Sequence, residues 1–121
     1  MPVLLIVEDD DLTRDMLCDM LRGHADWLVM AVADGRTLLQ TVDVIKPDLI
    51  LLDVTMYGMS GTEAYQLLRE HATAANVPVL FVTSDPELVR RARLRGTYTV
   101  MQKPFHLDEL LQAVDAMLAT P

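Results

Sequence analysis

A chain of 121 residues accommodates one domain, expected over residues 1–121, and buries roughly two-thirds of its unfolded surface. With 51% hydrophobic and 23% charged residues it reads as a soluble globular protein, and no apolar run nears the ~18 residues of a membrane helix. The formal charge of −8 disfavours direct nucleic-acid binding, and a single cysteine, Cys18, excludes an internal disulfide.

Met1-Pro2-Val3 puts no basic segment ahead of the first apolar run, so a cytoplasmic location is expected and a secretory leader is not. Val3-Leu4-Leu5-Ile6-Val7 is a short continuous apolar run, the pattern of a strand buried on both faces of a parallel sheet. It runs straight into Glu8-Asp9-Asp10. Asp11 is a candidate cap for a first helix carrying Met16, Leu17, Met20 and Leu21 on one face, with Gly23 closing it. A second strand is expected from Trp27 to Val32. A second helix follows, with Leu38, Leu39, Val42 and Ile45 inward and Pro47 ending it.

Leu49-Ile50-Leu51-Leu52 runs into Asp53. A loop through Gly58 and Gly61 then reaches Thr62, a candidate cap for a third helix that uses Leu67 and Leu68. Asn76-Val77-Pro78 opens a fourth strand, whose apolar run ends in Thr83-Ser84. Ser84-Asp85-Pro86-Glu87 is a helix start with a capping oxygen, an early proline and an early acid. That helix is expected to reach Gly96. Tyr98 to Gln102 makes a fifth strand, ending at Lys103-Pro104. Leu107, Leu110, Leu111, Val114, Met117 and Leu118 give a last helix its apolar stripe. Five strand–helix alternations imply right-handed crossovers and a three-layer α/β/α sandwich around a five-stranded parallel sheet.

In such sheets ligands bind at the carboxyl ends of the strands. Glu8, Asp9, Asp53, Thr83 and Lys103 all occupy such ends, so they should converge. Two unit charges ~5 Å apart repel by roughly 3 kcal/mol at an effective dielectric of 20, so three carboxylates together call for a cation. An all-oxygen set suits a hard divalent ion, Mg²⁺ (or Mn²⁺). Asp9, Asp53 and a main-chain carbonyl just after Asp53 are its expected contacts, with Glu8 acting through water. Asp10 and Asp11 read instead as helix-start acids. Carboxylates attack phosphorus to form acyl phosphates, which makes Asp53 the candidate nucleophile. Phosphoryl transfer needs in-line positioning and charge neutralisation, which Lys103 and the Thr83 hydroxyl can assist. Ser84 adds a main-chain donor at a helix start.

With these residues in order, the chain resembles the receiver domains of bacterial two-component response regulators over essentially its whole length. The matching segments are Leu5-Ile6-Val7-Glu8-Asp9-Asp10, Ala33-Asp34-Gly35, Lys46-Pro47-Asp48 through Asp53, Gly58-Met59-Ser60-Gly61, Val77-Pro78-Val79, Thr83-Ser84 and Lys103-Pro104-Phe105. The resemblance implies a flavodoxin-like strand order, 2-1-3-4-5. It implies that Asp53 takes a phosphoryl group from a sensor histidine kinase or phosphotransfer protein, with self-dephosphorylation but no conventional enzyme activity. It assigns Glu8 and Asp9 as the metal-binding acidic pair, the Thr55 carbonyl as a further Mg²⁺ ligand, Thr83 as the switch hydroxyl and Lys103 as the lysine. It also implies a cis peptide between Lys103 and Pro104, and an output surface on the fourth helix, fifth strand and fifth helix.

Departures from the family pattern matter. Tyr57 stands where proline is usual. Val100 replaces the usual aromatic three residues before the lysine; Tyr98, on the same strand face, is either its substitute or a plain edge-strand aromatic. The last helix has no Lys or Arg, and Thr97-Tyr98-Thr99 replaces a frequent acidic pair. A homodimer through the output surface thus stays an option, without the salt bridges typical of winged-helix regulators. Residues Pro86 to Lys103 carry a net +4, leaving −12 on the rest of the chain, and could present Arg90, Arg91, Arg93 and Arg95 to an acidic partner. Two other readings stay open: an interaction module that never takes phosphate, and a flavin carrier of related topology. The acids after the first strand, which would repel a phosphate, oppose the second.

Overall fold

The computed structural model describes Met1–Ala119; Thr120 and Pro121, which close the expected 1–121 domain, lie outside the described residues. Ten elements alternate: β1 (Val3–Val7), α1 (Asp11–Arg22), β2 (Leu28–Val32), α2 (Gly35–Ile45), β3 (Leu49–Asp53), α3 (Gly61–Arg69), β4 (Val79–Thr83), α4 (Pro86–Ala92), β5 (Tyr98–Gln102) and α5 (Leu107–Ala119). The strands pair in parallel in the order β2-β1-β3-β4-β5, the expected order. Among the described residues, no helix is long and apolar enough to cross a membrane.

The continuous apolar runs are buried on both faces because helices cover both faces. Successive side chains on a strand point to opposite sides. Leu5, Val7, Ile50, Leu52, Val79 and Phe81 therefore pack with Leu38 and Val42 of α2, Ala64, Tyr65 and Leu68 of α3, and Val89 of α4. Leu4, Ile6, Leu49, Leu51, Leu80 and Val82 pack with Leu17, Cys18 and Leu21 of α1 and Leu110 and Val114 of α5. Each of these Leu, Ile, Val and Phe side chains contributes about 1.5–3 kcal/mol by leaving water. Cys18 is thus a packing residue. The edge strands β2 and β5 stay partly exposed.

Helix starts differ from the expectations by a residue or two. Asp10, not Asp11, caps α1, accepting from the Thr13 N–H at 2.9 Å. Ser60, not Thr62, caps α3, accepting from the Glu63 N–H at 3.2 Å and donating to the Glu63 carboxylate at 3.2 Å. Where two candidate oxygens adjoin, the one whose side chain reaches a first-turn amide takes the role. Asp34 caps α2 and Asp85 caps α4. On α1 and α3 the inward faces are narrower than expected, with Met16 and Leu67 exposed. The second and fourth strands begin at Leu28 and Val79, just inside the expected starts.

The largest difference lies in α4, which stops at Ala92 rather than near Gly96. Arg93 turns left-handed at φ 51°. Beyond it, α3 side chains bind main-chain carbonyls of the segment leading to β5. The Tyr65 hydroxyl donates to the Arg95 carbonyl, and Arg69 Nη2 donates to the Thr97 carbonyl at 2.7 Å. The Arg69 guanidinium lies 4.4 Å over the Tyr65 ring. Gly96, at φ 90°, permits the close approach, since a Cβ there would sit 2.9 Å from Arg69 Nε and Tyr65 Oη. Tyr98 belongs to this cluster. Its ring meets Tyr65 at 5.6 Å and Phe81 at 5.7 Å, edge to face. It pairs in register with Val79, whereas Thr83 lies level with Gln102, so the ring sits at the far end of β5 from the strand-end site.

Candidate phosphoacceptor and metal site

The sheet order brings four strand ends side by side. Because β1 is flanked by β3, β3 by β4 and β4 by β5, the residues after each run emerge together. Glu8 leaves β1, Asp53 ends β3, Thr83 ends β4 and Lys103 follows β5. Ligand oxygens of Glu8, Asp9 and Asp53 lie within 4.8 Å of one another. Lys103 Nζ stands 3.8 Å from Asp53 Oδ1. The Lys103–Pro104 peptide is cis, as the resemblance implies.

Each group has distinct surroundings. Glu8 is 3% exposed and Asp53 9%, whereas Asp9 faces solvent. The Asp53 carboxylate accepts from the Thr55 N–H at 3.3 Å. Thr83 is buried, and its hydroxyl accepts from the Asp85 N–H at 3.0 Å. Its carbonyl accepts from the Lys103 N–H at 2.8 Å, fixing the lysine's main chain to the end of β4. Ser84 and Thr55 are exposed at the rim. A cavity of about 10 Å³ lies among Glu8, Asp53, Lys103, Leu17 and Val82.

The acids fit a cation. Glu8 Oε2 is buried without a hydrogen-bond partner, an orphaned acceptor whose desolvation is costly unless something positive meets it. The donors are all carboxylate oxygens, which suit hard divalent ions.

Burial foremost, and then the adjoining Asp53 carboxylate, push the Glu8 carboxyl from an ordinary 4.5 up to about 8, against the pull of Lys103. The folded protein therefore holds a proton that the unfolded chain releases above its ordinary value. That contribution to stability is complete below 4.5 and is lost as pH rises through about 8. Cation-free protein should lose stability across this window in chemical denaturation, and Glu8→Gln should flatten the curve. An unchanged pH slope in that variant would place the titration elsewhere.

Three participants carry little signature in the sequence. Arg14 Nη1 donates to the Glu8 carbonyl at 3.0 Å and pairs with Asp11. The Tyr57 N–H donates to Asp9 Oδ2 at 2.8 Å. Gly61 packs against the Asp53 main chain, with its N–H on the Val54 carbonyl at 2.8 Å. The Asp11–Arg14 spacing, i to i+3 on a helix, was the one hint for the first.

A doubly wound parallel sheet with an acidic cluster and a lysine at its carboxyl ends frames the candidate site. The chain belongs to the response regulator receiver domain family, whose model matches residues 4–115. It is a receiver domain of the two-component response regulator class, a signalling domain rather than a classical enzyme. It is 33% identical to the transcriptional regulatory protein PdtaR of Mycobacterium tuberculosis, over 93% of this chain and 54% of that protein. The chain thus spans about half the length of that relative. The chemotaxis protein CheY4 of Vibrio cholerae superposes with a TM-score of 0.83 at 28% identity, over 97% of this chain and 98% of that one. The receiver domain of the Pseudomonas aeruginosa sensor histidine kinase PA1611, with magnesium coordinated in its active-site cleft, shares the fold. Its TM-score is 0.86 at 23% identity, covering 98% of each chain.

Proposed function

We propose that Asp53 accepts a phosphoryl group from a phosphohistidine of a sensor histidine kinase or phosphotransfer protein, and that this charge resets the α4–β5–α5 surface. The observation that carries the reading is the convergence of Glu8, Asp9, Asp53 and Lys103, with a buried Glu8 oxygen left without a partner.

In the transfer an Asp53 carboxylate oxygen attacks phosphorus in line. The phosphorus–nitrogen bond of the donor breaks, and its electron pair returns to the imidazole. Lys103, already paired with Asp53, follows the charge onto the phosphoryl oxygens. The Thr83 hydroxyl donates to one of these oxygens, and the Thr55 amide, already on the Asp53 carboxylate, and the Ser84 amide donate to the others. Glu8, Asp9, Asp53 and the Thr55 carbonyl would hold Mg²⁺ (or Mn²⁺). That ion neutralises charge on the transferring group. Incubation with acetyl phosphate and Mg²⁺ should add one phosphoryl mass, and a chelator should prevent it. Mass gain indifferent to the chelator would sink the metal assignment.

The phosphorylated carboxylate carries roughly −1.5 to −2 charge and three acceptor oxygens, which draw Thr83 and the loop into α4. On α4, Arg90 and Arg91 are exposed and, among the described residues, their side chains pair with Glu87, at 3.2 and 3.9 Å. Exposed pairs of this kind contribute about 0–1 kcal/mol, so these charges are available to an acidic partner. The double change Arg90→Glu, Arg91→Glu should weaken beryllofluoride-dependent self-association or effector binding in sedimentation while leaving phosphorylation intact. Unchanged association would discard the surface.

A further inference from the structure

We propose that the main-chain N–H of Tyr57 is a positioning group for the cation site, holding Asp9 in the orientation that binding requires. The inference rests on the metal-site reading above. Asp9 and Tyr57 lie 48 residues apart and meet at 2.8 Å, N–H to Oδ2. An amide donating to a carboxylate is a charge-assisted hydrogen bond, shorter and stronger than a neutral one.

The bond restrains Asp9. Glu8 and Asp53 are held by burial, but Asp9 is exposed, and an exposed carboxylate samples several staggered rotamers. The neighbouring Asp10 is committed to Thr13, through both its N–H at 2.9 Å and its hydroxyl at 2.6 Å. A carboxylate has two oxygens, so holding Oδ2 leaves Oδ1 for a cation. The same bond ties the β1–α1 turn to the β3–α3 loop, which carries Thr55. Hydrogen bonds behind ligating carboxylates orient them, and their loss commonly weakens metal binding about 10–100-fold.

The contact is the amide, not the ring. The Tyr57 side chain is 92% exposed and takes no part in packing the loop. The two can be separated cleanly. Tyr57→Ala keeps the N–H and deletes the ring; Tyr57→Pro deletes the N–H. Proline, usual at this place in the family, cannot make this bond.

Magnesium titrated calorimetrically into the parent, Tyr57→Ala and Tyr57→Pro proteins tests the assignment. Tyr57→Ala should bind within about twofold of the parent and Tyr57→Pro about 10-fold more weakly. Equal affinity for Tyr57→Pro and Tyr57→Ala overturns the inference while leaving the metal site intact. No saturable binding by the parent overturns the metal-site reading itself, and the inference with it. Amide exchange in the parent gives a second measurement, free of any effect on folding. A Tyr57 amide that exchanges slowly and stays slow at saturating Mg²⁺ supports the positioning role. Exchange that accelerates when Mg²⁺ binds means the cation pulls Asp9 off the amide, and overturns it.

Discussion

Asp53→Asn should abolish phosphoryl mass gain from acetyl phosphate while leaving a folded protein. The amide lacks the anionic oxygen that attacks phosphorus, so the loss should be complete rather than graded. Folding should survive for a specific reason. The remaining amide oxygen can still accept from the Thr55 N–H, and the site becomes less crowded with negative charge. Asp53 is one of the groups that push the Glu8 carboxyl upward, so its neutralisation should let Glu8 ionise more readily. Cation-free Asp53→Asn should therefore melt at or above the parent temperature near neutral pH. Mass spectrometry and a thermal melt on the same sample check both halves. Retained mass gain would place the acceptor elsewhere, and a large drop in melting temperature would give Asp53 a structural role that the geometry does not predict.

Gly61→Ala should be among the most damaging single-methyl changes in the chain. A Cβ at this position would sit 2.1 Å from the Asp53 carbonyl oxygen, 2.8 Å from Val54 Cα and 2.9 Å from the Asp53 carbonyl carbon. All three are main-chain atoms, so no side chain can swing aside. The backbone that aims Asp53 must shift, or the start of α3 must. Overpacking of this kind costs about 1–3 kcal/mol, and here the displaced atoms belong to the acceptor's own residue. Reduced stability in urea should accompany weakened Mg²⁺ binding. Gly23→Ala is the matched control, since nothing lies within 4 Å of a Cβ there and its φ is −89°. That change should be neutral or stabilising by up to about 1 kcal/mol. Stability of Gly61→Ala within about 0.5 kcal/mol of the parent would show that the loop has slack.

The parts of the fold legible in the sequence are those governed by burial on two faces. β1, β3 and β4 announce themselves as unbroken apolar runs because helices cover both sides of the sheet. β5 was legible by its bounding Gly96 and Lys103-Pro104 even though it is an edge strand. The end of α4 was not, because a helix boundary set by the Tyr65 hydroxyl and the Arg69 guanidinium depends on side chains about 30 residues away. The exposed positions of Met16 and Leu67 show the same limit, since adjacent apolar residues on a helix do not reveal which one turns inward.

The candidate site followed a similar division. Acids and a lysine at the ends of apolar runs could be grouped, because a parallel sheet aligns those ends without further information. Contacts made by main-chain atoms could not. The Tyr57 amide and the approach of Gly61 to the Asp53 main chain leave no mark in spacing, and the Glu8 carbonyl on Arg14 leaves only the Asp11–Arg14 spacing. Tyr98 was readable either as a switch aromatic or as packing, and its contacts with Tyr65 and Phe81 are those of packing.

The most direct test is a crystal structure of the chain with Mg²⁺ and beryllofluoride. The expected density shows beryllium bonded to a carboxylate oxygen of residue 53 and one octahedral ion shared with residue 9. The ammonium of residue 103 should lie against a fluoride. Beryllofluoride seated on another residue, or an ion bound away from these strand ends, would contradict the account.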